Sequence, residues 1–494
     1  MQQHIISQTF NVADNYNTNG IFYESVAISK SAIYTNGYGS EISSPLNPKL
    51  YISKLTKKGG FIYNKGYTEP GLALFSSPQG LMVKNDSVFN FGQAQGNGYF
   101  NRIICLITDT NGNKLFFKEY LDSINENEVM FQSQLFKSKK GFLLVGLVQK
   151  SSTLDVNAGV FFLNNKLEMT RKYEFGISNK NEIAYSATQL ANGNIVIGAH
   201  RYDANKISST RYKEQTWIFE IDTAGNMVHE FLDPDTRTGP AKGITQTADG
   251  GFVYCGKYQS NWNGKISYKW QGSIAKLKPD FSGKDWEIKI PDTLSSLVSM
   301  EDIEFLNQNE LVAAGSNVTY SYNYPNDSAI SGVVISFNQN GEIYWQNNYL
   351  GLDSNDQTYL NFLYDLEITP NKEILACGKS YGSQTPNSGW ILKLDSTGCL
   401  SETNCGAASL SVENEQKKGS QKLNIYPNPF TSSITLHNNE SIKVITIYNQ
   451  IGQVVYKKEN PTKELHLPHL PNGLYFLKVI TQNREVITKK IIKQ

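Results

Sequence analysis

Asp249-Gly-Gly-Phe-Val-Tyr-Cys-Gly256 decides the fold, because versions of it return along the chain. A turn leads into a short β-rich run, and the run often ends on Gly. The same phrase stands at Gly141-Phe-Leu-Leu-Val-Gly146, Gly193-Asn-Ile-Val-Ile-Gly198, Glu310-Leu-Val-Ala-Ala-Gly315 and Glu373-Ile-Leu-Ala-Cys-Gly378. Two weaker copies precede these, Ala32-Ile-Tyr-Thr-Asn-Gly37 and Gly80-Leu-Met-Val-Lys-Asn85. The copies start at 32, 80, 141, 193, 251, 310 and 373, so the steps are 48, 61, 52, 58, 59 and 63 residues. A period of this length marks a unit that buries its faces only against copies of itself.

Outward from that phrase, a second one follows: a strand, a tight turn and another strand. Its turns are Asp109-Thr-Asn-Gly112, Asp222-Thr-Ala-Gly225, Asp280-Phe-Ser-Gly283 and Asn338-Gln-Asn-Gly341. Asp or Asn opens the turn by accepting from its own backbone, and Gly supplies a positive φ. One short strand precedes each first phrase, as in Ile183 to Leu190 and Asp365 to Ile368. Four antiparallel strands per unit, repeated seven times, describe a β-propeller. Six and eight blades are the rivals. The seventh repeat has a third strand, Trp390 to Leu394, and no fourth. A spare strand, Ile5 to Phe10, precedes the first repeat near Glu24 and is expected to complete the last blade. The reading is therefore an all-β chain: a seven-bladed propeller over residues 1–405, then a small Ig-like β-sandwich.

Composition agrees. The 494 residues exceed one ordinary core. Aromatic residues reach 12%, with 28 Tyr and 24 Phe, while charged residues are only 18%. Aromatic side chains suit half-buried strands, and the Asn, Ser, Thr and Gly between them suit turns. The formal net charge is +1, which excludes nucleic acid or an anionic membrane held by bulk electrostatics. No apolar run approaches the roughly 18 residues of a membrane helix. Met1 to His4 has neither a basic start nor an apolar core, so an exported protein implies a leader already removed.

The sequence has five Cys. Cys399 and Cys405 bracket a short loop where the repeats stop, and an oxidising compartment would let them bridge. Cys255 and Cys377 occupy matching repeat positions, and Cys105 sits in Ile103 to Ile107; all three read as small buried apolar residues.

From Gly141 to Leu400 the repeats resemble Bacteroidetes secreted propellers, whose units run Asp-Gly-Gly-aromatic, strand, Gly, and later Trp, strand, Lys, Asp-x-x-Gly. Trp390-Ile-Leu-Lys-Leu-Asp-Ser-Thr-Gly398 carries the second half of that pattern. Sialidase-type Asp boxes place Asp two residues before Gly; here the spacing is three, Asp222 to Gly225, and that reading is rejected.

After Cys405 the text changes. Residues 406–421 are small and charged without apolar periodicity, hence a linker. Short alternating strands fill 422–494, with turns at Gln450-Ile-Gly452 and Pro471-Asn-Gly473. Leu423-Asn-Ile-Tyr-Pro-Asn-Pro-Phe430 resembles the opening signature of type IX secretion sorting domains of type A. Tyr448-Asn-Gln-Ile-Gly-Gln-Val-Val455 and Leu470-Pro-Asn-Gly-Leu-Tyr-Phe-Leu-Lys-Val479 resemble the second and third, and Lys489-Lys-Ile-Ile-Lys-Gln494 the basic end. That resemblance implies export through the periplasm to the outer-membrane surface or beyond, recognition by the translocon, cleavage near the linker, and lipopolysaccharide attachment or release. By motif match Pro427, Asn428, Pro429, Gly452, Gly473, Tyr475 and Lys490 belong to the signal.

No catalytic or metal-ligating set stands out. Of six His, four lie outside the repeats or in the closing strand, and His229 lies in a strand. Only His200 falls in a loop of the expected binding face. No serine-hydrolase elbow, P-loop, dinucleotide fingerprint or EF-hand appears, so no cofactor is expected. A carboxylate pair across blades is invisible in sequence. The loops between second and third strands are rich in Tyr, Asn, Ser and Trp. The candidate ligand-binding residues are His200, Tyr202, Tyr258, Trp262, Tyr320, Tyr322, Tyr324 and Tyr381. Flat amphipathic rings bury area at low entropy cost, which suits a glycan or a protein loop. Three functions compete: a surface binding module, a secreted enzyme acting on polysaccharide or peptide, and a structural envelope component.

Overall fold

The computed structural model describes residues 10–13, 18–41, 44–96, 101–120, 128–138, 141–150, 156–203, 214–262, 265–290, 299–320, 328–351, 358–382, 388–400, 424–437, 442–449, 454–481 and 486–494. It divides into two compact units, Met1–Ala408 and Ser409–Gln494.

Seven four-stranded antiparallel blades account for the described strands of the first unit. Each blade starts on an innermost strand: Thr18–Ile28, Ala73–Lys84, Glu128–Ser138, Lys180–Gln189, Thr238–Gln246, Met300–Asn307 and Thr358–Ile368. These touch one another in order, and the last touches the first, so the ring closes around a central channel. The seventh blade is completed by Phe10–Ala13, antiparallel to Ser388–Leu394 with Phe10 opposite Lys393. The chain's N-terminal region thus closes the ring as the missing fourth strand required. The described part of the closing strand runs on from Phe10 to Ala13, past the expected end; the rest of the expected Ile5 to Phe10 lies outside the described residues.

The cores lie between blades, as a repeat that cannot bury its own faces demands. Seven apolar clusters each bridge two neighbours. One joins Val253, Cys255 and Ile274 of the fifth blade to Leu311, Ala313 and Val333 of the sixth. Another joins Ile21, Tyr23 and Ile33 of the first to Leu375, Cys377 and Ile391 of the seventh. Cys105, Cys255 and Cys377 are free and fully buried, and burial pushes their thiols up. Cys399 is disulfide-bonded; Cys405 lies outside the described residues.

The outer turns follow the Asx logic. Asp222 Oδ1 accepts from Ala224 N and Asn226 N at 2.9 Å each, and Gly225 takes φ +91°. Asp109 and Asn338 do the same. The Asp280 turn differs: Phe281 itself takes φ +59° and donates to Lys278 O.

The second unit is two small antiparallel sheets. One orders Asn424–Tyr426, Ser433–His437 and Glu464–His466; the other orders Val454–Glu459, Ile442–Tyr448, Gly473–Thr481 and Val486–Lys493. Alternate residues such as Ile434, Leu436, Ile445, Ile447, Leu477, Val479 and Ile491 form its core.

Candidate functional site at the channel mouth

The glycine that ends the repeated phrase has a structural cause, and that cause builds the site. In six blades pairing between the first and second strands slips by one residue. The slips skip Glu24, Ser133, Tyr185, Lys242, Glu301 and Tyr364. The second blade slips further, between Ser76 and Leu81. Each slip is a β-bulge, which leaves one residue out of the ladder and re-aims its side chain. It also drives a backbone carbonyl onto a glycine of the second strand, the repeat glycine in four blades and Gly92 in the second. A Cβ on Gly37, Gly92, Gly256, Gly315 or Gly378 would lie 1.7–2.2 Å from the carbonyl oxygen of Phe22, Phe75, Pro240, Ser299 or Phe362. Only glycine fits under that carbonyl.

The described bulge side chains meet across blades. Lys242 of the fifth blade ion-pairs with Glu301 of the sixth. Ser76 of the second donates to Glu24 of the first at 2.6 Å. Lys379 of the seventh acts electrostatically on both Glu24 and Glu301 and stands over the Phe22, Phe362 and Tyr364 rings. Burial lowers the pKa of Lys379 and raises that of Glu24 to about 7.

His200 joins this group. It pairs with Ile183 on the innermost strand of the fourth blade and lies 3.2 Å from Glu214, not aligned for a hydrogen bond. Its ring is 5.1 Å from Tyr202 and 6.5 Å from Tyr185. Burial holds the imidazole neutral, lowering its pKa against the pull of Glu214. Burial likewise lowers the pKa of Lys257, which feels Glu214, Lys242 and Glu301. The mouth thus gathers Tyr185, His200, Tyr202, Glu214, Lys242, Lys257, Glu301, Lys379 and Glu24. Strand direction puts it at the end of the channel where second strands run into third strands.

The sequence-predicted residues divide. His200 is not in a loop: it lies in Ile195–Asp203 and is buried, because the hairpin continues past it to the Tyr202 and Glu214 pair. Tyr258 is also strand-borne and buried, with Arg237 and Lys289 against its ring at 5.1 and 3.7 Å. Trp262, Tyr320 and Tyr381 end strands that extend beyond the expected loop boundaries. Tyr322 and Tyr324 lie outside the described residues. Sequence reading missed Tyr185, Glu214, Lys242, Glu301 and Glu24. The signal was present in the repeat glycine, whose steric reason becomes visible only with the bulge. Among the described residues no group of three His, Cys, Asp or Glu is placed to hold a metal ion.

Behind the mouth the same strands do structural work. In four blades the residue after the bulge, Ser25, Ser186, Asp302 or Asp365, is buried and bonds the next blade. Asp302 accepts from Leu366 N at 3.1 Å, and Asp365 accepts from Val26 N at 2.7 Å. Ser25 donates to Ser77 O at 3.0 Å, and Ser186 to Ala241 O at 2.8 Å. Asp302 and Asp365 also meet each other. Burial raises both, Asp302 to about 6 against the hydrogen bond it shares with Asp365; Asp365 is held well above the usual carboxylate range because the charge of Asp302 adds to its burial. Deeper along the same strands, burial and the charge of Asp302 raise Glu367 to about 7.

In the second unit the Pro-Asn-Pro turn holds the last strand. Asn428 Nδ2 donates to Lys490 O at 2.9 Å, and Asn428 Oδ1 accepts from Ile492 N at 2.8 Å. Phe430 N donates to Ile492 O, Gln494 N donates to Phe430 O, and Lys493 caps Thr431 O. Pro427 and Pro429 flank Asn428 on the exposed turn. Tyr475 donates to Pro471 O at 2.7 Å, bracing the turn before Gly473. Gly452 lies outside the described residues.

Residues 424–494 match the secretion system C-terminal sorting domain family. A curated relative, the ulvan lyase NLR42 of Nonlabens ulvanivorans, is 27% identical over 96 residues, which is 19% of this chain and 17% of the relative. The chain therefore spans about a sixth of that relative's length. Among solved structures, the polysaccharide lyase Uly1 overlaps 80% of this chain and 94% of its own at 11% identity and TM-score 0.47. The β-propeller domain of the Trilobed protease from Pyrococcus furiosus overlaps 79% and 99% at 9% identity and TM-score 0.41. PorZ of Porphyromonas gingivalis, a surface component of the type IX secretion system, overlaps 95% and 70% at 10% identity and TM-score 0.33. The chain thus joins a ring of seven four-stranded blades to a type IX secretion C-terminal sorting domain, the tail that marks it for export to the cell surface or the extracellular space.

Proposed function

We propose that the propeller is a surface binding module that takes a glycan at the mouth of its channel. One observation carries this reading: the bulge in five of the blades turns an ionisable or aromatic residue, Glu24, Tyr185, Lys242, Glu301 or Tyr364, toward one shared opening. Charged donors and acceptors set among tyrosines are the chemistry that orients a sugar ring and its hydroxyls. The name of the curated relative, a lyase of the polysaccharide ulvan, points to the same ligand class. Trp262, Tyr320 and Tyr381, on the second strands that lead to this end, and Tyr322 and Tyr324 next to them in sequence are further candidate contacts. The sorting unit, from about residue 422 after the 406–421 linker, is the part read by the secretion machinery; we propose that it is then cleaved, leaving the propeller bound to lipopolysaccharide or free.

A glycan array on the full chain tests the reading, followed by titration of any hit. The Lys242→Ala/Glu301→Ala pair is expected to weaken binding at least tenfold, and Trp262→Ala/Tyr322→Ala less. Undiminished binding in the first pair overturns the mouth as the site. A blank array on folded protein moves the ligand from glycan to protein.

A second reading, a polysaccharide-active enzyme, is favoured by Glu24. A carboxyl raised to about 7 beside Lys379 is divided between acid and base near neutrality. Release of new reducing ends from a bound polysaccharide, abolished by Glu24→Gln with binding retained, would establish it.

A further inference from the structure

The opposite end of the channel carries a second cavity, unrelated to the mouth. It measures about 640 Å³ and lies where the first and seventh blades meet. Its walls are turns of those blades: Ser29 and Lys30 between the first two strands of the first blade, Lys57 after its third strand, and Thr369 to Glu373 of the seventh. Lys393, from the strand that pairs with Phe10–Ala13, forms the floor.

Three of its side chains are cationic and one is anionic. Glu373 is already engaged, 2.8 Å from Lys393. Lys393 is 4% exposed, so that pair is buried. Lys57 is half-buried, and among the described residues its ammonium has neither a hydrogen-bond nor an ion-pair partner. Burial first, and then the charge of Lys393, lower its pKa. A half-buried ammonium facing a second cation, with one carboxylate, Glu373, ion-paired to Lys393 and pulling only weakly on Lys57, leaves net positive charge. The hydroxyl of Thr369 and the amide of Asn371 stand on the same wall.

We propose that this seam pocket binds an oxyanion ester, a sulfate or phosphate group, with Lys57 and Lys30 as its charge partners. The group would touch both the first and the seventh blade, and so would fasten the ring across its closing joint. A ligand that binds only the folded state stabilises it by mass action. The chemistry is shared by a sulfated polysaccharide and by a phosphorylated lipid.

The test uses the full chain and inorganic phosphate at low millimolar concentration, against chloride of equal ionic strength. Phosphate is expected to raise the unfolding midpoint by a few degrees. Lys57→Ala/Lys30→Ala is expected to abolish that shift, while Lys57→Arg and the neighbouring Lys58→Ala retain it. An equal shift in the double variant, or none in the parent chain, overturns the proposal. The double variant's own midpoint in chloride shows that it folds. Dextran sulfate and vesicles containing phosphatidic acid then separate the sources: protection of Lys57 from amine acylation by the first alone assigns a sulfated glycan, by the second alone a phosphorylated lipid. Protection by neither overturns the site for macromolecular esters. Glycan binding at the mouth is read independently by Lys242→Ala/Glu301→Ala.

Discussion

Two neighbouring positions on each inner strand do opposite things. The bulge residue faces the channel: Glu24, Lys242 and Glu301 are partly exposed and meet side chains of other blades. The next residue, Ser25, Asp302 or Asp365, is buried and bonds the backbone or hydroxyl of the following blade. One peptide separates a position free to vary with the ligand from one that holds the ring. The difference teaches that the bulge is the device by which a rigid repeat acquires a site. Without it both residues would sit in the ladder and only one face of the strand would be available.

The largest test breaks the bulge itself. Gly378→Ala places a methyl 1.7 Å from Phe362 O. Backbone cannot yield cheaply, so urea denaturation should show a loss of about 3 kcal/mol or failure to fold. Gly60→Ala, whose nearest atom is the Thr56 hydroxyl at 3.4 Å, should change stability by less than about 0.5 kcal/mol. Similar costs for the two would remove the steric account of the repeat glycine.

Next comes the one-residue contrast. Asp365→Ala leaves Val26 N buried without its acceptor and should cost about 2 kcal/mol. Tyr364→Ala should cost under about 1 kcal/mol by the same denaturation. Equal losses would mean that both positions are structural.

The third effect is pH dependence. Asp302 and Glu367 start from ordinary values of 3.8 and 4.5 and rise to about 6 and 7 in the fold. Raised carboxyls stabilise the fold when protonated. Their contribution is complete below about pH 4 and fades as pH climbs through about 6 and 7. Midpoints measured from pH 5 to pH 8.5 should therefore fall, and Asp302→Asn should flatten the fall. A rise over that window would contradict the sign.

The smallest effect is confined to the second unit. Asn428→Ala removes both bonds to the last strand, and hydrogen exchange of Ile491 to Lys493 should accelerate by roughly tenfold, about 1.4 kcal/mol. Propeller amides should not change.

The repeat phrase made the blade count and the closure by an N-terminal strand legible, because turn chemistry and strand periodicity are local. Strand ends were misjudged where polar aromatic runs such as Lys257 to Trp262 continue the hairpin: Tyr and Asn pair as well as they turn. His200 was noticed for its chemistry and placed wrongly, in a loop rather than in a strand. Its companions Tyr185, Glu214 and Lys242 come from three different strands in two blades, and nothing in the order of residues announces that they converge. Glu301 and Glu24 read as ordinary polar strand positions for the same reason. A bulge is a one-residue slip in pairing, and pairing partners fifteen residues away are not written in either strand alone.

The closing joint sets an order of events. Phe10–Ala13 and Ser388–Leu394 stand at opposite ends of the propeller's chain, so every blade between them must be in place before they can meet. Until then Ser388–Leu394 presents a bare edge whose side chains are fully buried in the finished ring, the kind of surface on which stray strands add. The four residues that end this exposure act as a clasp. Assembly is complete only when the first part of the propeller to be made finds the last.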